Sequence, residues 1–279
     1  MSAIDLQNLR IGFIGGGNMA RSLIGGLLQR KASATNITVS DPIDAQLRQL
    51  ESQFGIFATR DNTQVLRRSD VVILAVKPQD LHPVARSLAA VMGTPPPLFI
   101  SIAAGARARD IRRWLGGVPV VRAMPNRPAL QGCGVSGVYA PAEVTAGDRD
   151  FAAAILGAVG PVVWVDEEDQ MDAVTAVSGS GPAYVFMLIE MMESAGVNLG
   201  LTPEVSRRLA IETAFGSAVM SRDSAESPAV LRQQVTSKGG TTEAALRVLE
   251  SSGVRDIFAG AIAAAASRSA QLAEELGKV

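Results

Sequence analysis

The chain has 279 residues, 47% of them apolar, with 26 Lys and Arg against 27 Asp and Glu. That length supplies core for one or two domains, and the near-neutral charge leaves no basic excess of the kind that binds nucleic-acid phosphates. One cysteine excludes an internal disulfide or a multi-thiolate metal site, and one histidine excludes two-histidine zinc motifs. No metal site is therefore expected, and the chemistry has to come with a cofactor. No apolar run reaches the roughly 18 residues that span a bilayer. The first ten residues lack the basic-then-apolar layout of a signal peptide. The expectation is a soluble, cytoplasmic protein without membrane or nucleic-acid partners.

Along the first half, short apolar runs alternate with helical patterns. Residues 11–14 read as a strand that ends in glycines. A helix follows over 18–30, with Met19, Leu23, Ile24, Leu27 and Leu28 at helical spacing. A strand over 37–40 stops at Asp41-Pro42, a helix runs through Leu47 and Leu50, and Ile56-Phe57 forms a short apolar patch. Residues 63–68 read as helix, and 71–76 as a β-branched strand buried on both faces. Further strands are expected over 98–102, 118–122, 134–139 and 162–165. Near-continuous apolar strands between amphipathic helices predict a parallel sheet covered on both sides.

After Trp164-Val165 the texture changes. Asp166-Glu167-Glu168-Asp169 reads as a solvated linker turning into a helix N-terminus, or simply as an exposed loop, and no strand pattern follows it. Helices are predicted over 182–195, over 204–220 behind Thr202-Pro203, and from Ser227-Pro228 to Val235. Two more run from Thr242 through Leu249 and over the alanine-rich residues 256–276. The fold class is thus an α/β domain over residues 1–165 followed by an all-α domain over residues 166–279. Helix 182–195 is too apolar to face water, so it is either central to its domain or packed on a second subunit.

Gly15-Gly16-Gly17-Asn18-Met19-Ala20 follows a strand and opens a helix, matching G-x-G-x-x-A. The first glycine permits the turn, the second lets a pyrophosphate approach, and Ala20 lets helix and strand pack closely. In that context the triplet predicts dinucleotide binding. Ser40 and Asp41 stand at the end of the second strand, roughly 25 residues past the first glycine, where the adenosine ribose is met. A carboxylate at Asp41 accepts from a free 2′-hydroxyl and favours NADH, unless it turns away to cap the next helix. In the latter case Ser40 and Arg60 suit NADPH. Lys77, in Val76-Lys77-Pro78, either meets cofactor or substrate, or is a solvated cation. Ser101-Ile102-Ala103-Ala104-Gly105 ends a strand in small residues that suit a flat ring. Asn126, in Met124-Pro125-Asn126, either holds a left-handed turn or meets the nicotinamide. Residues 178–184 and 237–242 are small-residue loops at helix starts. Each is an anion cradle or simply a capped helix.

These motifs, taken in order, resemble pyrroline-5-carboxylate reductases. The resemblance rests on residues 12–20, Ala75-Val76-Lys77-Pro78, Ile102-Ala103-Ala104-Gly105, Met124-Pro125-Asn126, residues 177–184 and residues 235–242. It implies a Rossmann-type dinucleotide-binding domain and a helical dimerisation domain that interleaves with a partner's. It also implies NAD(P)H-dependent reduction of 1-pyrroline-5-carboxylate to L-proline, the closing step of proline biosynthesis, by a dimer or an assembly of dimers. By the same resemblance the cofactor is lined by Ile14, Gly15, Gly16, Gly17, Asn18 and Met19, by Asn62, by Ala75, Val76, Lys77 and Pro78, and by Ile102, Ala103 and Ala104. Ser237, Gly239, Gly240, Thr241 and Thr242 form the substrate loop, with Thr242 the catalytic hydroxyl. Lys238 and Arg127 stand where many relatives have proline and threonine, and Asp41 where relatives often carry a neutral residue.

On this reading Thr242 positions the ring nitrogen or relays a proton, because a hydroxyl is no conventional general acid at neutral pH. His82 reads as a surface or capping residue and Cys133 as a passive small one. Two other readings stay open. A β-hydroxyacid-type dehydrogenase would need a basic residue in the helical half, where Lys238 and Lys278 are the only lysines. A non-catalytic dinucleotide sensor would leave residues 237–242 unexplained.

Overall fold

The computed structural model of the chain describes residues 4–278. The strands are β1 (Ile11–Ile14), β2 (Ile37–Ser40), β3 (Phe57–Thr59), β4 (Val71–Leu74), β5 (Leu98–Ser101), β6 (Val120–Pro125), β7 (Ser136–Tyr139) and β8 (Val162–Trp164). They form one sheet in the order β3-β2-β1-β4-β5-β6-β7-β8. Pairing is parallel except between β6 and β7, which run antiparallel. This corrects the expectation of a wholly parallel sheet. The link from β6 to β7 holds only a short 3₁₀ turn, Arg127–Gln131, and a parallel return needs a crossover of about a dozen residues or more.

Helices α1 (Asn18–Gln29), α2 (Asp44–Phe54), α3 (Asn62–Arg68), α4 (Pro78–Ala89), α5 (Ala108–Trp114) and α6 (Ala146–Leu156) lie between the strands. Alternate residues of each strand face opposite sides of a sheet, and the core divides accordingly. Phe13, Val39, Ile73, Ile100 and Val121 join Leu23, Ile24 and Leu27 in one cluster. Ile14, Val72, Leu74, Phe99 and Val120 join Leu81, Ala85, Ile111 and Trp114 in the other. Burying each such aliphatic side chain contributes about 1.5–3 kcal/mol, which is why a sheet this apolar must be covered twice.

By contacts the chain forms two compact units. The first takes in the residues up to Ser180 together with those from Ala265 onward, and the second is Gly181–Ala264. The last strand ends at Trp164, close to the predicted change of texture at 165, but the first unit continues beyond it. The acidic segment explains this, because it is no free linker. Glu168 accepts hydrogen bonds from Arg122 Nη1 at 3.2 Å and from the Ala108 backbone N–H. Arg107 pairs with Asp169 and Asp172. Ser269 Oγ, from the final helix, donates to the buried Asp172 at 2.7 Å. Helix α7 (Gln170–Val174) follows, then a π-helical turn, Thr175–Gly179.

The second unit contains α8 (Gly181–Asn198), α9 (Pro203–Asp223), α10 (Pro228–Gln234), α11 (Thr241–Ser251) and the first part of α12 (Val254–Gly277). Thr202 and Ser227 cap α9 and α10 by accepting from Val205 and Val230, each with proline in the first turn, as the Thr-Pro and Ser-Pro pairs predict. Helices α8 and α9 pack on each other, and Ser206 Oγ donates to Glu193 O at 2.7 Å. Their remaining faces are apolar and exposed: Phe186 is 60% accessible and Phe215 64%. The helical run Gln170–Asn198 is also long and apolar enough to cross a bilayer by length and composition. This corrects the expectation that no segment qualifies. The helical turn Thr175–Gly179 takes up part of a segment that the sequence reading treated as a loop.

Candidate active site

The chain builds outward from β1 through β2 to β3 and then returns to add β4 on the other side of β1, which makes the carboxyl ends of β1 and β4 the crevice where such sheets bind ligands. Gly15 stands there with φ +100°, and a Cβ on it would lie 2.6 Å from the Ala75 carbonyl oxygen, so only glycine fits. Its N–H donates to Ser40 O at 2.8 Å. Gly17 precedes α1 in extended conformation and no side chain caps the helix. The space that a Cβ on Gly17 would occupy is open to beyond 4 Å. First-turn N–H groups of a helix lack intrahelical acceptors, and here they face an approachable surface. Ala20 is 1% exposed against the sheet.

A cleft of about 480 Å³ opens beside this turn. Among its lining residues are the predicted Ile14, Gly15, Gly17, Ser40, Asp41, Asn62, Ala75, Val76 and Lys77. Gly16, Asn18, Met19 and Pro78 adjoin those positions in the chain but do not line the cleft itself. Ile102, Ala103 and Ala104 follow β5, the neighbour of β4, and Ile102 N–H donates to Leu74 O at 3.1 Å. They lie outside the cleft, with Ala103 buried and Ala104 exposed.

The polar floor of the cleft is built locally. Ser40 Oγ donates to Asn62 Oδ1 at 2.6 Å. Asn62 opens α3 behind Asp61, which caps the helix by accepting from Thr63 N–H; that bond holds the Asp61 carboxyl below its ordinary value. Asp41 is buried, and both its oxygens are engaged, Oδ2 by Gly16 N–H and Oδ1 by Ile43 N–H, each at 2.8 Å. The sequence left open whether Asp41 faces a ribose or caps the next turn, and in the structure it braces the glycine turn. Arg60 lines the cleft in a bidentate pair with Asp44. Gln46 Oε1, on the same wall, is buried without a hydrogen-bond partner. Lys77 is exposed at the N-cap of α4. An open glycine cradle, an uncapped helix start and an unpaired buried acceptor are what a dinucleotide would complete.

Three sequence readings change. Asn126 is extended (φ −119°), not left-handed, and it ties the fold: Oδ1 accepts from Val135 N–H at 2.9 Å and Nδ2 donates to Ser178 O at 3.1 Å. Ser178 and Gly179 lie in the π-helical turn, with Ser180 in a bend after it, rather than in an open anion loop, and Ser178 Oγ donates back to Val174 O. His82 sits within α4, its ring 5.2 Å from that of Trp114. Arg122, the last residue of the predicted strand 118–122, is buried on β6. Burial pushes its guanidinium below the usual range and Glu168 opposes this. An arginine inside an apolar strand was the available signal. Cys133 is exposed.

In the helical unit, residues 235–240 turn into α11. Gly239 has φ +73°, and its N–H donates to Glu243 Oε2 at 2.6 Å, while Gly240 N–H donates to Ser237 O at 3.0 Å. Gly240 caps α11 without a side-chain bond. Two of the expected loop donors are therefore spent inside the turn. Thr241 and Thr242, the first residues of α11, have their N–H groups at its uncapped start. Ser237, Lys238 and Thr241 are exposed and Thr242 half-buried.

A doubly wound sheet with this crevice, joined to a helical unit, defines an oxidoreductase of the NAD(P)-dependent class. Residues 10–105 match the family profile described as NADP oxidoreductase coenzyme F420-dependent, and residues 168–272 match pyrroline-5-carboxylate reductase dimerisation. The pyrroline-5-carboxylate reductase of Pseudomonas aeruginosa is 47% identical over 270 residues, 96% of this chain and 98% of that protein. That of Vibrio alginolyticus is 41% identical, covering 98% and 100%. The solved structure of the Coxiella burnetii enzyme superposes with a TM-score of 0.91 at 40% identity, over 95% and 98% of the two chains. The Plasmodium falciparum pyrroline carboxylate reductase with NADP bound gives 0.84 at 28% identity, covering 96% and 100%. The chain belongs to the pyrroline-5-carboxylate reductase family.

Proposed function

We propose that this chain reduces 1-pyrroline-5-carboxylate to L-proline as the last step of proline biosynthesis. The observation that carries this reading is the turn before α11, whose uncapped start offers the Thr241 and Thr242 N–H groups to a carboxylate. When bound, NADPH or NADH supplies the hydride. The protein supplies position and electrostatics.

Ile14, Gly15, Gly17, Ser40, Asn62, Ala75, Val76 and Lys77 would hold the cofactor from the cleft. Gly16, Asn18, Met19 and Pro78 would shape the turns around it, and Ile102, Ala103 and Ala104 would flank it. Ser237 Oγ and the Thr241 and Thr242 N–H groups take the substrate carboxylate, favoured by the positive end of the α11 dipole. Lys238 adds an exposed positive charge beside them. Gly239 and Gly240 shape the turn rather than donate. The Thr242 hydroxyl hydrogen-bonds the ring nitrogen and fixes its orientation. The ring nitrogen of a cyclic imine is basic enough to be protonated over part of the neutral range, so one hydride and one proton reach the C=N bond without a strong protein acid.

The protein works as a dimer, or as an assembly of dimers, through the apolar faces of α8 and α9. A second copy, rather than a bilayer, covers Gln170–Asn198. We take the enzyme to be cytoplasmic, a compartment that supplies reduced dinucleotide. The residue ranges 1–165 and 166–279 are taken as the cofactor-binding and substrate-binding domains.

Oxidation of NADPH and NADH is followed with pyrroline-5-carboxylate, and L-proline is quantified chromatographically. Stoichiometric proline with either cofactor is the expected result. Absence of turnover with both would reject the assignment.

A further inference from the structure

The loop between β5 and α5, residues 102–107, carries Ile102, Ala103 and Ala104 and is held at both ends. At the sheet end Ile102 N–H donates to Leu74 O, and Ala103 N–H donates to Ser101 Oγ at 3.4 Å. Ala104 is exposed, whereas Gly105 and Ala106 are buried. Gly105 is left-handed, with φ +78°, and a Cβ on it would lie 3.4 Å from Leu272 Cβ and 3.5 Å from Leu276 Cδ1. The loop therefore rests against the last turns of α12. At its far end the Arg107 side chain is only 11% exposed and meets Asp172 of α7 at 3.5 Å. Asp172 accepts from Ser269 Oγ of α12 with its other oxygen, at 2.7 Å. One buried carboxylate thus joins the loop to α12, and all these groups belong to the first compact unit. Arg107 also pairs with Asp169, but that carboxylate is 87% exposed and holds the guanidinium weakly.

Resting on the reading that Ile102, Ala103 and Ala104 flank the bound dinucleotide, we propose that Asp172 is a positioning residue for hydride transfer. It acts through Arg107 and Ser269, and so sets where the loop backbone stands at the cofactor. Ala103 and Ala104 have no side-chain rotamers with which to adjust, so what they offer follows the backbone, and the backbone follows its two anchored ends. The sheet fixes one end through Leu74, and Asp172 fixes the other. Reacting atoms have to approach to about 3–3.5 Å, and a misplacement of about 1 Å costs about 10²-fold in rate. A buried ion pair carries a desolvation cost that a plain apolar contact avoids, and what this pair contributes is a fixed direction for the loop.

Two measurements on the intact chain test this: amide hydrogen exchange without cofactor, and single-turnover NADPH oxidation with saturating 1-pyrroline-5-carboxylate. Asp172→Asn leaves one acceptor oxygen, which cannot serve Arg107 and Ser269 together. This variant and Ser269→Ala should speed exchange across residues 103–108 about fivefold or more, the mark of local opening. They should also slow hydride transfer about tenfold or more, with NADPH affinity by fluorescence titration within about twofold. Ser269→Ala removes a single hydroxyl and carries the test if Asp172→Asn does not fold. Arg107→Gln combined with Asp172→Asn should be no slower than the slower single variant, because both break one link. Thr145→Ala, which removes the N-cap of α6, lowers stability away from the loop and should alter neither its exchange nor the rate. Unchanged loop exchange, a full rate in the folded variants, or an equal loss of rate in Thr145→Ala would overturn the proposal. Ala104→Leu enlarges the exposed residue of the loop and should weaken NADPH. Unchanged affinity there would reject the reading that the loop flanks the dinucleotide, and absence of turnover by the unmodified chain would reject the proposed function, each taking this inference with it.

Discussion

The Asp41 carboxylate accepts the backbone N–H of Gly16 at 2.8 Å. One residue at the end of β2 thus fixes the turn that follows β1, and its second oxygen fixes the start of the next connection through Ile43. Asp41→Ala should weaken NADPH and NADH by a similar factor, about tenfold, because hydrogen bonds to charged groups contribute about 1.5–3 kcal/mol. Titration of both cofactors, with a thermal melt in parallel, checks this. A selective loss of NADH alone would mean that the carboxylate reads the ribose after all.

Thr242 tests the substrate half. Thr242→Ala should lower kcat about tenfold or more, the scale of one positioned hydrogen bond and any proton relay it carries. Cofactor affinity should stay the same. Thr242→Ser keeps the hydroxyl and should restore most of the rate. Steady-state kinetics of the two variants separate a lost hydroxyl from a lost methyl.

The Arg122–Glu168 pair predicts a large stability effect away from the site. Both side chains are buried, 3% and 15% exposed, and removing one partner strands the other. Glu168→Ala should cost about 3–5 kcal/mol in chemical denaturation. The double variant Arg122→Met, Glu168→Leu should recover much of it, since an apolar pair carries no desolvation penalty.

Arg10 and Asp70 give a pH signature. The Arg10 guanidinium holds the Asp70 carboxyl below its ordinary value through a side-chain hydrogen bond. A depressed folded-state pKa contributes stability above the unfolded value, about 3.9, and loses it as pH falls through the folded value. The pair is 54% and 42% exposed, so solvent screening keeps the contribution below about 1 kcal/mol. The stability difference between the unmodified chain and Asp70→Asn should be constant near neutrality and shrink as pH falls below the unfolded value, about 3.9. Urea denaturation across that range measures it.

Self-association predicts a last outcome. Phe215→Glu, in the middle of an exposed apolar face of α9, should shift the protein toward monomer in light scattering and leave the far-ultraviolet spectrum unchanged. An unaltered mass would place the interface elsewhere.

Much of this protein can be read from the one-dimensional pattern. Apolar runs such as Ile11–Ile14 and Val71–Leu74 announce buried strands because both faces of the sheet are covered. Thr202-Pro203 and Ser227-Pro228 announce helix starts because capping is local chemistry. The glycine triplet announces an anion site because its backbone geometry is set within a few residues. The rest depended on partners distant in sequence. Asn126 holds Ser178, Arg122 holds Glu168, and Asp172 holds Ser269. No local pattern encodes such a pairing, because the partners meet only once the sheet has formed. The antiparallel β7 followed from a link too short to cross over. Asp41 shows the division most clearly. Its residue type and spacing are legible in the chain, whereas the direction of its carboxylate was decided by whichever N–H groups the folded turn placed within reach.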